Sequence, residues 1–117
     1  MALCLAACAV PRAPADLRQQ NAVRSYRFNQ SLTATKACLI PGLDRLRPFT
    51  IPSTDTRPPS IRDIGGRTEI FAQDETITLY VVDLEPAGTT ATTAGLYTAT
   101  TRVTEQFDTI ARGCGAI

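Results

Sequence analysis

The sequence predicts an α+β fold: a small, mostly antiparallel sheet of about three strands, packed with a short N-terminal helix and a C-terminal helix. Three stretches carry this prediction. Val103, Phe107, Ile110, Ala111 and Cys114 repeat at i, i+4, i+7, i+8 and i+11, a single apolar stripe of a 3.6-residue period. RTEIFAQ and TITLYVVDLE, over 67–73 and 76–85, are rich in β-branched and aromatic residues, as strands are. Ser31 precedes a helical spacing of Leu32, Thr35 and Cys38/Leu39, and its hydroxyl suits an N-cap.

In chain order, Ser25–Asn29 reads as extended and leads into the Ser31-capped helix, which Pro41-Gly42 is expected to end. That spacing puts Cys38 on the buried side. Residues 47–66 hold four prolines and close on Gly65-Gly66, so a long loop is expected there, with at most a short extended piece at Phe49–Ile51. Asp74-Glu75 separates the two strands as a hairpin turn. Apolar side chains fall on both alternating sets of the second strand, Ile77, Leu79 and Val81 on one and Tyr80 and Val82 on the other, which suggests a strand covered on each face. Pro86-Ala87-Gly88 stops it, and Thr89–Thr100 is a third strand or an irregular return. Gly113 and Gly115 close the last helix around Cys114.

A chain of 117 residues with 44% apolar content has room for one domain, and a core that small often relies on a covalent staple. Charge is uneven. Residues 8–67 carry ten Lys/Arg against four Asp/Glu, and residues 68–117 carry two against seven. Either the halves complement each other within the fold, or the surface is dipolar and meets a charged partner. The arginines stand singly, without an aromatic cluster, so nucleic acid is not an expected partner. Histidine is absent from the sequence, and with it the usual general base and the commonest metal ligand. No run approaches the length of a membrane-spanning helix.

Leu5-Ala6-Ala7-Cys8 resembles the lipobox of bacterial lipoproteins, in which an aliphatic and two small residues precede the cysteine that receives a diacylglycerol. The resemblance implies that residues 1–7 are the end of a signal peptide, that Cys8 is lipidated, and that residues 8–22, with their prolines and polar side chains, are a tether to a single domain over 23–117. The usual charged start and full-length apolar core of such a leader are not found in the seven residues before Cys8. Once Cys4 leaves with the leader and Cys8 carries lipid, Cys38 and Cys114 remain and can pair in an oxidising envelope; two buried thiols in a reducing compartment are the alternative. With no Cys-x-x-Cys, a dithiol redox enzyme is not expected. The layout is also similar to a loose group of small envelope lipoproteins of unassigned function, with a lipobox, a Cys-bearing helix, two or three strands and a C-terminal helix ending in a second Cys. That similarity implies the α+β fold and an envelope location, and brings no catalytic residue. Ala9, where an Asp would favour inner-membrane retention, points to the outer membrane, facing the periplasm.

Candidate chemistry is sparse. Asp83 and Glu85, two apart on a strand, point the same way and could share a cation or act as a carboxylate pair; Asp74-Glu75 sits at a turn. Ser25, Ser31, Ser53 and Ser60 have no histidine partner and no G-x-S-x-G around them. Gly65-Gly66 lacks the Lys-Ser/Thr of a phosphate loop. Tyr26, Phe28, Phe71, Tyr80, Tyr97 and Phe107 fall at core positions, with Tyr26 or Tyr97 as the aromatic able to face a partner instead. The expected function is therefore a non-enzymatic, lipid-anchored envelope module that needs no cofactor or metal and contacts an envelope protein or the cell wall. A small periplasmic hydrolase or metal-dependent enzyme using acidic residues, and a small-ligand carrier, are the alternatives. Asp83 and Glu85 converging in a cleft would favour the enzyme; an exposed apolar patch on the Pro48–Pro59 loop would favour the module.

Overall fold

A computed structural model describes residues 13–46, 58–74 and 77–117. In chain order the elements are α1 (Pro14–Arg18), β1 (Arg24–Phe28), α2 (Leu32–Arg45), β2 (Ser60–Ile64), β3 (Arg67–Asp74), β4 (Ile77–Pro86), β5 (Thr92–Thr98) and α3 (Thr101–Gly113). The strands form one antiparallel sheet in the order β1-β5-β4-β3-β2, so the α+β class holds with five strands where about three were expected. The Cys4 and Cys8 positions and most of the Pro48–Pro59 loop lie outside the described residues.

The two added strands are at the edges. β1 is the extended stretch at Ser25–Asn29, paired with β5 through Tyr26 opposite Ala94 and Phe28 opposite Thr92. β2 replaces the end of the expected loop. Gly65 and Gly66 have φ of 56° and 86°, the left-handed pair that a two-residue hairpin turn requires, and they fold β2 back onto β3. Every residue of β2 is exposed, so burial imposes no alternation on its sequence.

α2 and α3 cover one face of the sheet. Ser31 Oγ accepts from the Ala34 amide at 3.2 Å, and Thr100 Oγ1 accepts from Val103 at 3.2 Å, so each helix is capped by a side chain. Phe28, Leu39, Tyr80, Val82, Leu84, Leu96, Val103 and Phe107 form the core between them. α3 buries the predicted stripe at Val103, Phe107 and Ala111. α2 runs on through Pro41-Gly42 to Arg45, contrary to the expected stop. Proline removes one amide donor, but Leu39 and Leu43 on either side are buried and hold the last turn to the core. At Gly42 the helices touch: a Cβ there would lie 2.6 Å from Ile110 Cγ2.

Cys38 and Cys114 are joined by a disulfide, with Cα atoms 5.9 Å apart. Cys38 sits on the exposed flank of α2 and not on its buried side, which Thr35, Leu39 and Leu43 occupy; Cys114 is half-buried. The bond closes a loop of 76 residues. In the chain-entropy picture such a loop stabilises the fold by at most about 4–5 kcal/mol. Beyond it, Gly115 (φ 87°) turns the chain back, Ala116 donates to the Ala111 carbonyl, and the Ile117 amide reaches the β1 edge at Arg27.

The stretch expected to be a tether is in part folded. Pro14 opens α1 at a position where its missing amide costs nothing, and the Ala13 amide is satisfied by Asp16 Oδ2 at 3.0 Å. Leu17, only 3% exposed, then packs on Phe71 and Val81 of the second sheet face, with Tyr97 beside them. β4 is thus covered on both faces, as its sequence predicts, and α1 supplies the second cover.

Candidate functional site

Strand register arranges the α1 face of the sheet in rows. Phe71, Val81 and Tyr97 stand side by side and form the apolar seat of Leu17. In the next row Arg62 faces Glu69, Glu69 faces Asp83, Asp83 faces Gly95, and Gly95 faces Ser25. Glu69 and Asp83 are therefore like charges in directly opposed positions, and both are buried.

Arginines from either side make this arrangement tolerable. Arg18, the last residue of α1, donates through Nε to Asp83 Oδ2 at 2.7 Å and through Nη2 to Oδ1 at 2.6 Å, and its Nη2 also pairs with Glu69. Arg62 on β2 donates through Nε to the other Glu69 oxygen at 2.8 Å, and its guanidinium lies 4.9 Å from the centre of the Phe71 ring. Burial pushes Glu69 up, but the two guanidiniums outweigh it and hold its carboxyl below the usual range. Among the described residues no buried side-chain nitrogen or oxygen lacks a partner. The basic first half and the acidic second half of the chain thus meet inside the fold.

The third row is open. Ile64 faces Arg67, Glu85 faces Thr93, and Thr93 faces Arg27; one further step of the β3–β4 register sets Arg67 beside Glu85. Arg67, Glu85, Thr93 and Arg27 of this row, with Ser25, Gly95, Tyr97, Arg18 at the end of α1, Ala22 beyond it and Ile117, line an open groove of about 620 Å³. Gly95 gives it a low floor, since the nearest side-chain atoms to a Cβ there would be those of Tyr97 and Ala22, at 3.7–3.8 Å. Among the described residues neither Arg27 nor Arg67 has an ion-pair partner.

The sequence-predicted candidates separate accordingly. Asp83 and Glu85 do point to one face, but they are not a pair: Asp83 is drawn to Arg18, while Glu85 stands exposed in the open row. Among the described residues no three Asp, Glu or Cys side chains converge as a metal site. Asp74 closes β3, and the position of its neighbour Glu75 lies outside the described residues. Both candidate aromatics border the groove, Tyr97 from the α1 face of the sheet and Tyr26 from a position on the opposite face. Tyr26 is core, edge-on to Phe107 at 5.4 Å, and its hydroxyl donates to Asp108 Oδ1 at 3.0 Å. Burial first, then Asp108, pushes the Tyr26 hydroxyl up to about 12. Ser31 is the expected cap, and Ser25 is in the groove wall. Sequence reasoning missed Arg18, Glu69, Arg27 and Arg67. A carboxylate at an inward position of a two-sided strand, Glu69 between Thr68 and Ile70, was the available signal.

No protein-family model matches this chain, and no curated protein or solved structure matches it. Among the described residues no helix is long and apolar enough to cross a membrane.

Proposed function

We propose that this chain is a lipid-anchored, non-enzymatic module of the bacterial envelope, attached through Cys8, that presents the open row of its sheet to an envelope protein or the cell wall. The Cys38–Cys114 bond carries the reading. Persistent disulfides belong to oxidising compartments, and this one uses the two cysteines left once the lipobox is set aside. The docking of α1 adds to it. From Cys8 to Pro14 the chain can span no more than about 20 Å, so the groove beside α1 would be held close to the anchor. The carboxylates favour binding over acid–base catalysis, because the buried pair is committed to arginines and Glu69 is held ionised, the opposite of a general acid.

The test is expression in a Gram-negative host with the native upstream region, as wild type and as Cys8→Ser, with a photo-crosslinking side chain placed at Thr93 or, as a control, at Glu105 on α3. The wild type should float with membranes, Cys8→Ser should not, and Thr93 should capture a discrete product that Glu105 does not. Equal membrane association of both proteins contradicts the anchor. Equal capture at both positions contradicts the binding face.

A further inference from the structure

The open row has a charge pattern of its own. Arg27 and Arg67 are its outermost charges, with Thr93 and Glu85 between them and Ile64 beyond Arg67, and the inner network of Arg18, Arg62, Glu69 and Asp83 is neutral by its own pairing. Apart from the paired Arg18 and Asp83, two guanidiniums line the groove, with the Glu85 carboxylate between them and Ile117 at the Arg27 end. From β1 through β5 and β4 to β3 the row crosses three strand gaps. At the usual spacing of ~4.8 Å that is about 14 Å between the Cα atoms of Arg27 and Arg67. An extended peptide covers such a distance in about four residues. Guanidiniums take carboxylates in two-pronged hydrogen bonds, and the Ser25 and Thr93 hydroxyls and the Tyr97 ring line the space between them.

We infer that this groove is a binding site for an extended acidic peptide segment, lying across the strands with one carboxylate on Arg27 and another on Arg67. This rests on the reading of the chain as a partner-binding module and gives that partner a chemistry. A flat anionic lipid surface fits less well, because Glu85 and the flank of α1 stand in its way. Glu85 acts as the selectivity element: it weakens binding of purely acidic segments and favours those with a cation or hydroxyl between the acids.

The test uses the ¹⁵N-labelled protein, with the disulfide intact, titrated with a capped peptide carrying two glutamates about four residues apart. Matched probes carry lysines instead, or are phosphatidylglycerol vesicles. The glutamate peptide should shift the amides of Thr93, Gly95 and Arg27, and the lysine peptide should not. Arg27→Gln and Arg67→Gln should each weaken binding by about 3–10-fold. Glu85→Gln should tighten it, and Arg45→Gln, on α2, should leave it unchanged. These are groove-side or exposed positions, and the amide spectrum of each variant reports whether it is folded. Equal response to lysine and glutamate peptides overturns the inference because binding then ignores charge, and equal loss on Arg45→Gln overturns it as mere net charge. Binding of vesicles but not of the peptide through the same amides overturns it in favour of a lipid surface. If these titrations fail while Cys8-dependent flotation and Thr93 capture succeed, the module reading stands and only the acidic-peptide ligand falls.

Discussion

Glu69 and Asp83 stand directly opposite each other on β3 and β4, and the guanidinium of Arg18 binds both. A five-residue helix is thereby fastened across two strands by its last side chain, with Leu17 seated in the adjoining row. The docking of α1 and the neutrality of the sheet face are one device.

Removing Arg18 should therefore cost more than a surface charge. Arg18→Met leaves two buried carboxylates facing each other with only Arg62 against them. Loss of one partner of a buried pair costs about 3–5 kcal/mol, and the partial exposure of Arg18 reduces this to about 2–3 kcal/mol. Urea unfolding measures it. Adding Asp83→Asn to Arg18→Met should recover part of the loss, and a cost below about 0.5 kcal/mol for Arg18→Met would show that α1 is a mere tether after all.

The same network sets an acid limit. Glu69 titrates below its ordinary value of 4.5 in the folded protein. A lowered folded value contributes stability that is fully present above the unfolded value and is lost as pH falls through the folded one. Stability should hold from neutral pH down to about 4.5 and decline below it, and Glu69→Gln should flatten that acid limb. Thermal melts between pH 7 and pH 3 report the slope. An unchanged acid limb in Glu69→Gln would assign it to other carboxylates.

The disulfide should dominate stability. Cys38→Ser/Cys114→Ser should lower unfolding free energy by up to about 4–5 kcal/mol, and reduction of the wild type should have the same effect. Guanidinium titrations with and without reductant make the comparison. A loss under 1 kcal/mol would mean that the α2–α3 packing suffices without the bond.

At Gly42 two effects compete. Alanine improves helix propensity by about 1 kcal/mol, but its Cβ would collide with Ile110, and overpacking costs about 1–3 kcal/mol. Gly42→Ala should be neutral to destabilising by about 2 kcal/mol, and Ile110→Ala in the same chain should turn the substitution favourable. Denaturation midpoints of the two single variants and the double variant decide it.

Much of this fold is legible in the chain. The α3 stripe, the two-faced strand β4 and the Ser31 cap are local patterns, and local patterns survive folding. The parts that are not legible have physical reasons. SIRDI on β2 is exposed at every position, so neither period appears, and the signal lay instead in Gly65-Gly66 after it. Pro41-Gly42 resembles a helix stop, yet tertiary packing of Leu43 and the need for a close approach to Ile110 carry the helix past it. α1 is too short to show a period, and Arg18 is marked only by a buried carboxylate 51 residues further on. Cross-strand rows depend on register, and register follows from the whole sheet.

The proposed lipid anchor at Cys8 and the Cys38–Cys114 staple together define the envelope module. Intact mass tests it most directly, on protein made in a Gram-negative host with its native upstream region and extracted from the envelope, before and after reduction. The expected result is a chain beginning at Cys8 with the added mass of a diacylglycerol and an N-acyl group, gaining about two mass units on reduction as one disulfide opens. An unlipidated chain that retains residues 1–7 and gains no mass on reduction would contradict both the anchor and the staple.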